Sequence, residues 1–249
     1  MTYADGYLEK AQTYANVPVK QAVISASALS LLYPAKPIDG YSKEAFIQDL
    51  LREHETHIRR CLEKGAYSVQ IDFTEGRLSI KLGPTKQLLK SFVALNNRTL
   101  DRFSSEERKR IGVHTCPGGY RDSTHSADVD YAQLLPDLFE LKVGRFYVQL
   151  ASERDRRAVL GVIQRHLKSD QNIFVEVTDP INPRVETREE VKARVLEAAE
   201  FIPVSQLGTT DDCGFSPFGD DTSTARETAF AKIRARVEGT ALAAHELGL

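Results

Sequence analysis

Cysteine is scarce in this chain: Cys61, Cys116 and Cys213 are the only three among 249 residues. A small and odd number of cysteines does not form a disulfide framework of the kind that small secreted domains need. The N-terminus shows neither a basic region nor an apolar core segment, so no signal peptide is visible. These absences predict a cytoplasmic location, where a reducing environment keeps thiolates available to bind a metal.

Long apolar runs and a strong charge of either sign are also missing. The longest apolar stretch, Gln21 to Tyr33, is interrupted by serines and is too short to cross a bilayer. The formal net charge is −2, which gives no indication of binding to nucleic acid or to an anionic membrane. We therefore expect small-molecule substrates, and neither a nucleic-acid nor a membrane partner.

The arrangement of predicted elements indicates the fold class. Six short, largely apolar segments begin near residues 19, 67, 110, 145, 172 and 204 and alternate with helical segments. Buried parallel strands have this apolar character, and alternating βα units predict a parallel sheet with helices outside it. No internal repeat, clear linker or glycine-rich nucleotide-binding motif is present. A length of 249 residues suits one large α/β domain or two small ones.

Several elements have recognisable limits. Ser42 is a plausible N-cap for a long helix from about Lys43 to Lys64, and Thr187 with Glu190 matches a capping box that opens another helix. Asn172 to Thr178 is predicted to be a strand, and Tyr131 to Leu141 a helix.

The side chains best suited to chemistry follow the predicted strands. They are Asp72, His114, Cys116, Asp179 and Cys213, each at or just beyond the C-terminal end of a strand. Active sites of (β/α) barrels and open α/β sheets lie at these strand ends. The sequence therefore favours an enzyme with its site on one face of a (β/α) barrel.

His114 and Cys116 form the most informative pair. Side chains on a strand alternate between faces, so residues two apart project together, and imidazole with thiolate is a zinc-type ligand pair. Alone, the spacing also fits a core histidine beside a buried thiol. The metal interpretation gains weight from Asp212-Cys213-Gly214 at a second strand end. Ligand softness favours zinc, but the spacing does not exclude iron or cobalt.

Four motifs together resemble the catalytic half of cobalamin-independent methionine synthase. They are Gln70-Ile71-Asp72, Val113-His114-Thr115-Cys116, Thr178-Asp179-Pro180-Ile181-Asn182-Pro183-Arg184 and Asp212-Cys213-Gly214. The resemblance is closer to the shorter single-barrel relatives, which include epoxyalkane:coenzyme M transferases. It implies a (β/α)8 barrel of TIM type and zinc-activated alkylation of a thiol. By this resemblance His114, Cys116 and Cys213 are zinc ligands, and Asp72 helps to hold the amino group of the thiol substrate.

The chain departs from the family pattern in three ways. Only about six βα units are visible, so residues 1–249 are predicted to form a single barrel domain that lacks the first two strands of the family barrel. An N-terminal segment or a homo-oligomer would then complete it. The strand that supplies a fourth, glutamate ligand in methionine synthases offers Gln149 or Glu153, and neither aligns cleanly. The loop Asp179 to Arg184 holds no proton-transferring histidine; Asp179 is the substitute acid or base, or else a turn cap.

Three functions are compatible with these features. The first is a methyltransferase resembling 5-methyltetrahydropteroyltriglutamate–homocysteine S-methyltransferase, which serves methionine biosynthesis by methyl transfer to homocysteine or a similar thiol. The second opens an epoxide with a thiol such as coenzyme M. The third is a truncated barrel that does not catalyse, or that needs a partner.

Overall fold

A computed structural model describes residues 3–83, 85–116, 126, 128–211, 214–215 and 222–249. Cys213, one of the predicted metal ligands, lies outside these residues. The chain divides into two compact units. The first comprises Met1–His114 with Asp137–Arg145, and the second comprises Thr115–Pro136 with Phe146–Leu249.

Strands and helices alternate along most of the chain. The strands are β1 (Lys20–Ile24), β2 (Ser68–Asp72), β3 (Ile111–Thr115), β4 (Arg145–Val148), β5 (Asn172–Thr178) and β6 (Leu207–Asp211). The helices are α1 (Asp5–Gln12), α2 (Ala26–Ser30), α3 (Lys43–Glu63), α4 (Glu75–Leu82), α5 (Gln87–Leu100), α6 (Ser105–Arg108), α7 (Leu135–Leu138), α8 (Arg156–His166), α9 (Arg188–Ala199) and α10 (Arg226–Glu246). None of the helices in the described part of the chain combines the length and hydrophobicity needed to span a membrane.

The strand order of the sheet follows the order of the chain, from β1 to β6. In the first unit β1 pairs in parallel with β2, and β2 with β3. In the second unit β5 pairs in parallel with β6, with a register shift between Glu176 and Thr178. Parallel strands in chain order with intervening helices are the arrangement of a TIM barrel. The predicted α/β class and the six βα units are therefore confirmed for the described residues.

The long helix α3 organises the core of the first unit. The hydroxyl of Ser42 accepts a hydrogen bond from Ala45 N, as expected of the predicted N-cap. One face of the helix is buried at helical spacing, with Ile47, Leu51 and Ile58 each less than a tenth exposed. Burying side chains of this size stabilises the fold by about 1.5–3 kcal/mol each. Helix α3 contacts both β1 and β2, so this burial holds the helix against the sheet.

Close packing of α9 on α10 characterises the second unit. Thr187 and Glu190 form the predicted capping box at the start of α9. Gly239 of α10 lies directly against this helix, since a Cβ atom at residue 239 would sit 2.5 Å from Val191 Cβ and 2.6 Å from Arg188 O. Glycine is required here by the close approach of the two helices.

The element predictions were wrong in three places. Tyr131 to Leu141 is not one helix, because a 3-10 turn at Tyr131–Gln133 precedes the four-residue α7. Val204–Gln206 forms a second 3-10 turn, so the last strand begins at Leu207. The sequence patterns also do not predict α2 and α4, which directly follow β1 and β2. Both helices are too short to show a clear apolar periodicity.

Candidate functional site

Two of the predicted site residues are neighbours in the first unit. Asp72 ends β2, and His114 is its register partner on β3. Phe73 N, the next backbone donor after Asp72, bonds to His114 O at 2.7 Å. Residues in register on adjacent parallel strands leave the sheet on the same side. The structure therefore brings a carboxylate and a buried imidazole, 6% exposed, to the C-terminal ends of adjacent strands.

Polar side chains on β1 and β2 hold the Asp72 carboxylate. Gln70 Nε2 donates to Asp72 Oδ1 at 2.6 Å, and Lys20 Nζ in turn contacts Gln70 Oε1. Burial raises the pKa of Asp72, while the hydrogen bond from Gln70 and the charge of Lys20 partly oppose that rise. The carboxylate is thus oriented in advance but poorly solvated, which favours binding of a cationic group beside it.

A buried polar cluster lies between the ends of β1 and β2. Ser25 Oγ donates to Glu75 Oε1 at 2.6 Å, and Ser27 Oγ contacts the same oxygen. Asn96 Nδ2 donates to Ser27 Oγ at 2.7 Å. Ser25 also caps α2 by accepting from Ala28 N. Hydrogen bonds to Glu75 Oε1 therefore link the segment between β1 and α2 to the first residue of α4.

Sequence analysis missed this cluster. Glu75 is 8% exposed, and its second oxygen, Oε2, makes no hydrogen bond within the described residues. Burial raises the pKa of the Glu75 carboxyl, and the hydroxyls of Ser25 and Ser27 oppose the rise. A signal was available, because Ser25 follows β1 immediately and Glu75 stands three residues beyond Asp72.

The second unit contains the cysteine of the proposed ligand pair. Cys116 is 2% exposed, directly after β3, and is disulfide-bonded in this structure. Gln149, one suggested fourth ligand, is buried and its amide contacts Ser152 Oγ. Among the described residues, a set without Cys213, no group of three or more His, Cys, Asp or Glu side chains could hold a metal ion. The ligand assignment therefore stays a prediction.

Asp179 has the turn-capping geometry that the sequence also allowed. Its Oδ1 accepts from Ile181 N at 2.9 Å and from Asn182 N at 3.3 Å. The loop that follows is anchored by Lys232, a fully buried side chain of α10. Lys232 Nζ donates to Asp179 O at 2.9 Å and to Glu186 Oε2 at 2.9 Å. One oxygen of Asp179 is therefore engaged in the loop, and its role as acid or base stays a prediction.

Comparison with known proteins agrees with this architecture. The family model described as the catalytic domain of cobalamin-independent synthases matches residues 2–239. The uncharacterised Bacillus subtilis protein YxjH is 24% identical, covering 77% of this chain and 52% of that protein. A methionine synthase of Saccharolobus solfataricus is 23% identical, covering 83% of this chain and 53% of the relative. The chain thus spans about half the length of these curated relatives.

Solved structures share the fold. A B12-independent methionine synthase from a Shewanella species, in complex with selenomethionine, superposes with a TM-score of 0.71 at 16% identity. That match covers 99% of this chain and 68% of the other. The putative B12-independent methionine synthase of Listeria monocytogenes gives a TM-score of 0.64 at 21% identity, covering 92% of this chain and 65% of the other. At these identities the likeness shows the fold.

Proposed function

Because the chain belongs to the family of cobalamin-independent synthase catalytic domains, we propose that it carries out zinc-dependent methyl transfer to homocysteine or a similar thiol. The observation that carries the proposal is the register pairing of Asp72 with His114, two residues before Cys116. A carboxylate suited to an amino group and an imidazole suited to a metal thereby lie at the ends of adjacent strands. The activity is proposed for a chain that spans about half of its curated relatives.

His114, Cys116 and Cys213 are the residues that would hold zinc. One imidazole and two thiolates suit zinc, and three protein ligands leave a position for substrate. His114 and Cys116 are both buried two residues apart, and Cys116 would join this donor set as a thiolate once its disulfide is reduced. When bound, zinc keeps a coordinated thiol deprotonated at neutral pH. A fourth protein ligand is not needed for this chemistry.

The other proposed residues orient the substrate. Asp72 accepts hydrogen bonds from the ammonium group of an amino thiol, and Gln70 holds the carboxylate in place for this contact. Fixing the amino end places the sulfur at a set distance from the strand end that carries His114. Asp179 is proposed to handle a proton through its second carboxylate oxygen, since the first caps the turn.

We further propose that residues 1–249 form one barrel domain that lacks the first two family strands. Within the described residues the sheet order begins at β1, whose outer edge has no strand beside it. Ile24 at the end of β1 is 46% exposed, and Leu32 in the following segment is 72% exposed. An N-terminal segment or a second copy of the chain would cover such an edge. A cytoplasmic location belongs to the same proposal, because it keeps the thiols reduced.

Metal content of the purified, reduced chain tests the proposal. About one zinc per chain is expected, lost in Cys116→Ser and in Cys213→Ser but retained in Cys61→Ala. Cys61 is the matched control because it is a free, fully buried thiol on α3. The reductant is necessary because Cys116 is disulfide-bonded here. Equal zinc in all four proteins would refute the ligand assignment.

A second candidate function is the opening of an epoxide by a thiol. It is favoured by the loop Asp179 to Arg184, which has no histidine for proton transfer. Assays that combine a methyl donor or an epoxide with homocysteine or coenzyme M distinguish the two reactions. A zinc-loaded chain that alkylates neither thiol until an N-terminal segment is supplied would indicate a partner-dependent barrel.

A further inference from the structure

A buried ion pair lies behind the loop that follows β5 in the second unit. It joins Lys232 of α10 to Glu186, just before α9, whose side chains are 0% and 2% exposed, with 2.9 Å between Nζ and Oε2. Moving two charges out of water is costly, and a buried pair often stabilises a fold no more than apolar side chains of similar size would. Stability therefore does not by itself account for this pair, and its other contacts indicate what it does.

The ion pair holds both backbone groups of Asp179. Lys232 Nζ donates to Asp179 O at 2.9 Å, and Asp179 N donates to Glu186 Oε1 at 2.9 Å. The same ammonium group donates to Arg184 O at 2.5 Å, so one charge connects the first and last residues of the loop Asp179 to Arg184. The direction in which the Asp179 side chain leaves the backbone is therefore set by contacts with α10 and with the segment before α9.

A third charged side chain holds the strand end that leads into the loop. The register of β5 with β6 shifts between Glu176 and Thr178, so Val177 falls between two register pairs. Arg194 Nη1 on α9 donates to Val177 O at 2.7 Å and lies 3.7 Å from Glu186 Oε1. Irregularities of this kind re-aim the neighbouring side chains and are frequent next to active sites. One cluster of charges thus holds both the end of the strand and the loop beyond it.

We propose that Lys232 and Glu186 are positioning residues that hold the Asp179 carboxylate in place for proton transfer. This inference rests on the proposed function, in which Asp179 handles a proton through its second carboxylate oxygen. The first oxygen is engaged, because Oδ1 accepts from Ile181 N and Asn182 N. With the backbone held on both sides and one oxygen fixed, the direction of the other oxygen is fixed as well. Displacing a reacting group by about 1 Å lowers a rate by on the order of 100-fold, so this support matters for the reaction.

Amide hydrogen exchange of the full chain measures the positioning without reference to activity. In Lys232→Met the amides of Ile181 and Asn182 are expected to exchange at least about fivefold faster, because the turn that protects them loses its anchor. The double variant Lys232→Met/Glu186→Gln removes both charges, so no unpaired carboxylate stays buried if the single variant fails to fold. Val191→Ala is the matched control, since it weakens the packing of α9 on α10 without removing a hydrogen bond of the pair. Equally fast exchange in this control, or unchanged exchange in the lysine variants, would overturn the proposal.

Alkyl-transfer kinetics connect the positioning with the reaction. The kcat of the double variant is expected to fall at least about tenfold with little change in KM for the thiol. In an Asp179→Asn background the same double change should cost almost nothing further, because the amide keeps the oxygen that caps the turn but does not take up the proton. An equal loss in both backgrounds, or no loss in either, would show that the pair does not act through Asp179. A chain without any alkyl transfer would refute the proposed function, and the exchange of the two loop amides would still decide the positioning.

Discussion

Asp72 and His114 are register partners on adjacent parallel strands, and Phe73 N, the next backbone donor after Asp72, donates to His114 O at 2.7 Å. It places Asp72, which is proposed to bind the substrate, beside His114, which is proposed to bind the metal. Because the two residues belong to different strands, a slip of one strand along its axis would change their spacing. Under the proposed function, this register would give an amino thiol two points of attachment at a fixed spacing.

Replacing Asp72 by Asn removes the negative charge of the side chain but keeps its size and shape. The amide oxygen still accepts from Gln70, but the attraction for an ammonium group is lost. We expect the Kd for homocysteine to rise on the order of tenfold, whereas the Kd for its desamino analogue stays unchanged. Calorimetry of the zinc-loaded chain measures both. Asp39→Asn, at an exposed position, is the control, and equal losses for both thiols would argue against the amino-group assignment.

Removing the Glu75 carboxylate leaves two buried serine hydroxyls without their acceptor. We expect Glu75→Ala to lower the free energy of unfolding by about 2–3 kcal/mol, and Glu75→Gln, which keeps an acceptor oxygen, to lower it by less than about 1 kcal/mol. Urea unfolding measures the difference. Glu63→Ala on the surface of α3 is expected to stay within about 0.5 kcal/mol. A similar cost for Ala and Gln would show that the hydrogen bonds to Ser25 and Ser27 contribute little.

The pH dependence of stability gives a second test of Glu75. Its pKa is raised in the folded state, so the folded protein holds this proton at a pH where the unfolded chain has released it. The free energy of unfolding should therefore fall as pH rises from about 4.3, the pKa of an unfolded glutamate, through the folded pKa. Glu75→Gln is expected to remove this contribution. An unchanged slope in the variant would contradict the raised pKa.

His54 should destabilise the protein in acid. Its pKa falls from 6.5 to about 4 on folding, so the unfolded state binds the proton first as pH decreases. Stability that is present above pH 6.5 is lost progressively toward pH 4, by up to about 3 kcal/mol. In His54→Leu this loss should disappear from urea-unfolding curves. His245→Leu, at an exposed position near the C-terminus, should retain it, and a retained loss in His54→Leu would contradict the assignment.

Two glycine substitutions are expected to have opposite effects on stability. Gly239→Ala places a Cβ atom against Val191 and Arg188 O of α9, and should destabilise the protein by about 1–3 kcal/mol. Gly6→Ala in α1 meets nothing within 4 Å and should stabilise it by up to about 1 kcal/mol. Thermal unfolding of both variants measures the signs. Destabilisation by Gly6→Ala, or none by Gly239→Ala, would contradict the packing described.

Elements with a local signal could be predicted from the sequence, and elements without one could not. The strand Asn172–Thr178 and the capping box at Thr187 match their predictions, because apolar patterning and capping residues are local features. The short helix α4 was missed since its place is fixed by distant partners of Glu75. Tyr131 likewise lies in a 3-10 turn, where its hydroxyl contacts Thr115 O at 3.3 Å. That contact cannot be read from the neighbouring sequence.

By itself the sequence determined the βα alternation, the placement of Asp72, His114 and Cys116 at strand ends, and the family resemblance. These follow from hydrophobic periodicity and residue chemistry, which act over a few residues. Tertiary structure alone decided the register of Asp72 with His114, the Ser25–Glu75 cluster and the burial of His54 beside a cavity. Each depends on contacts between residues that are far apart in the chain, where packing and desolvation, and not local preference, set the geometry.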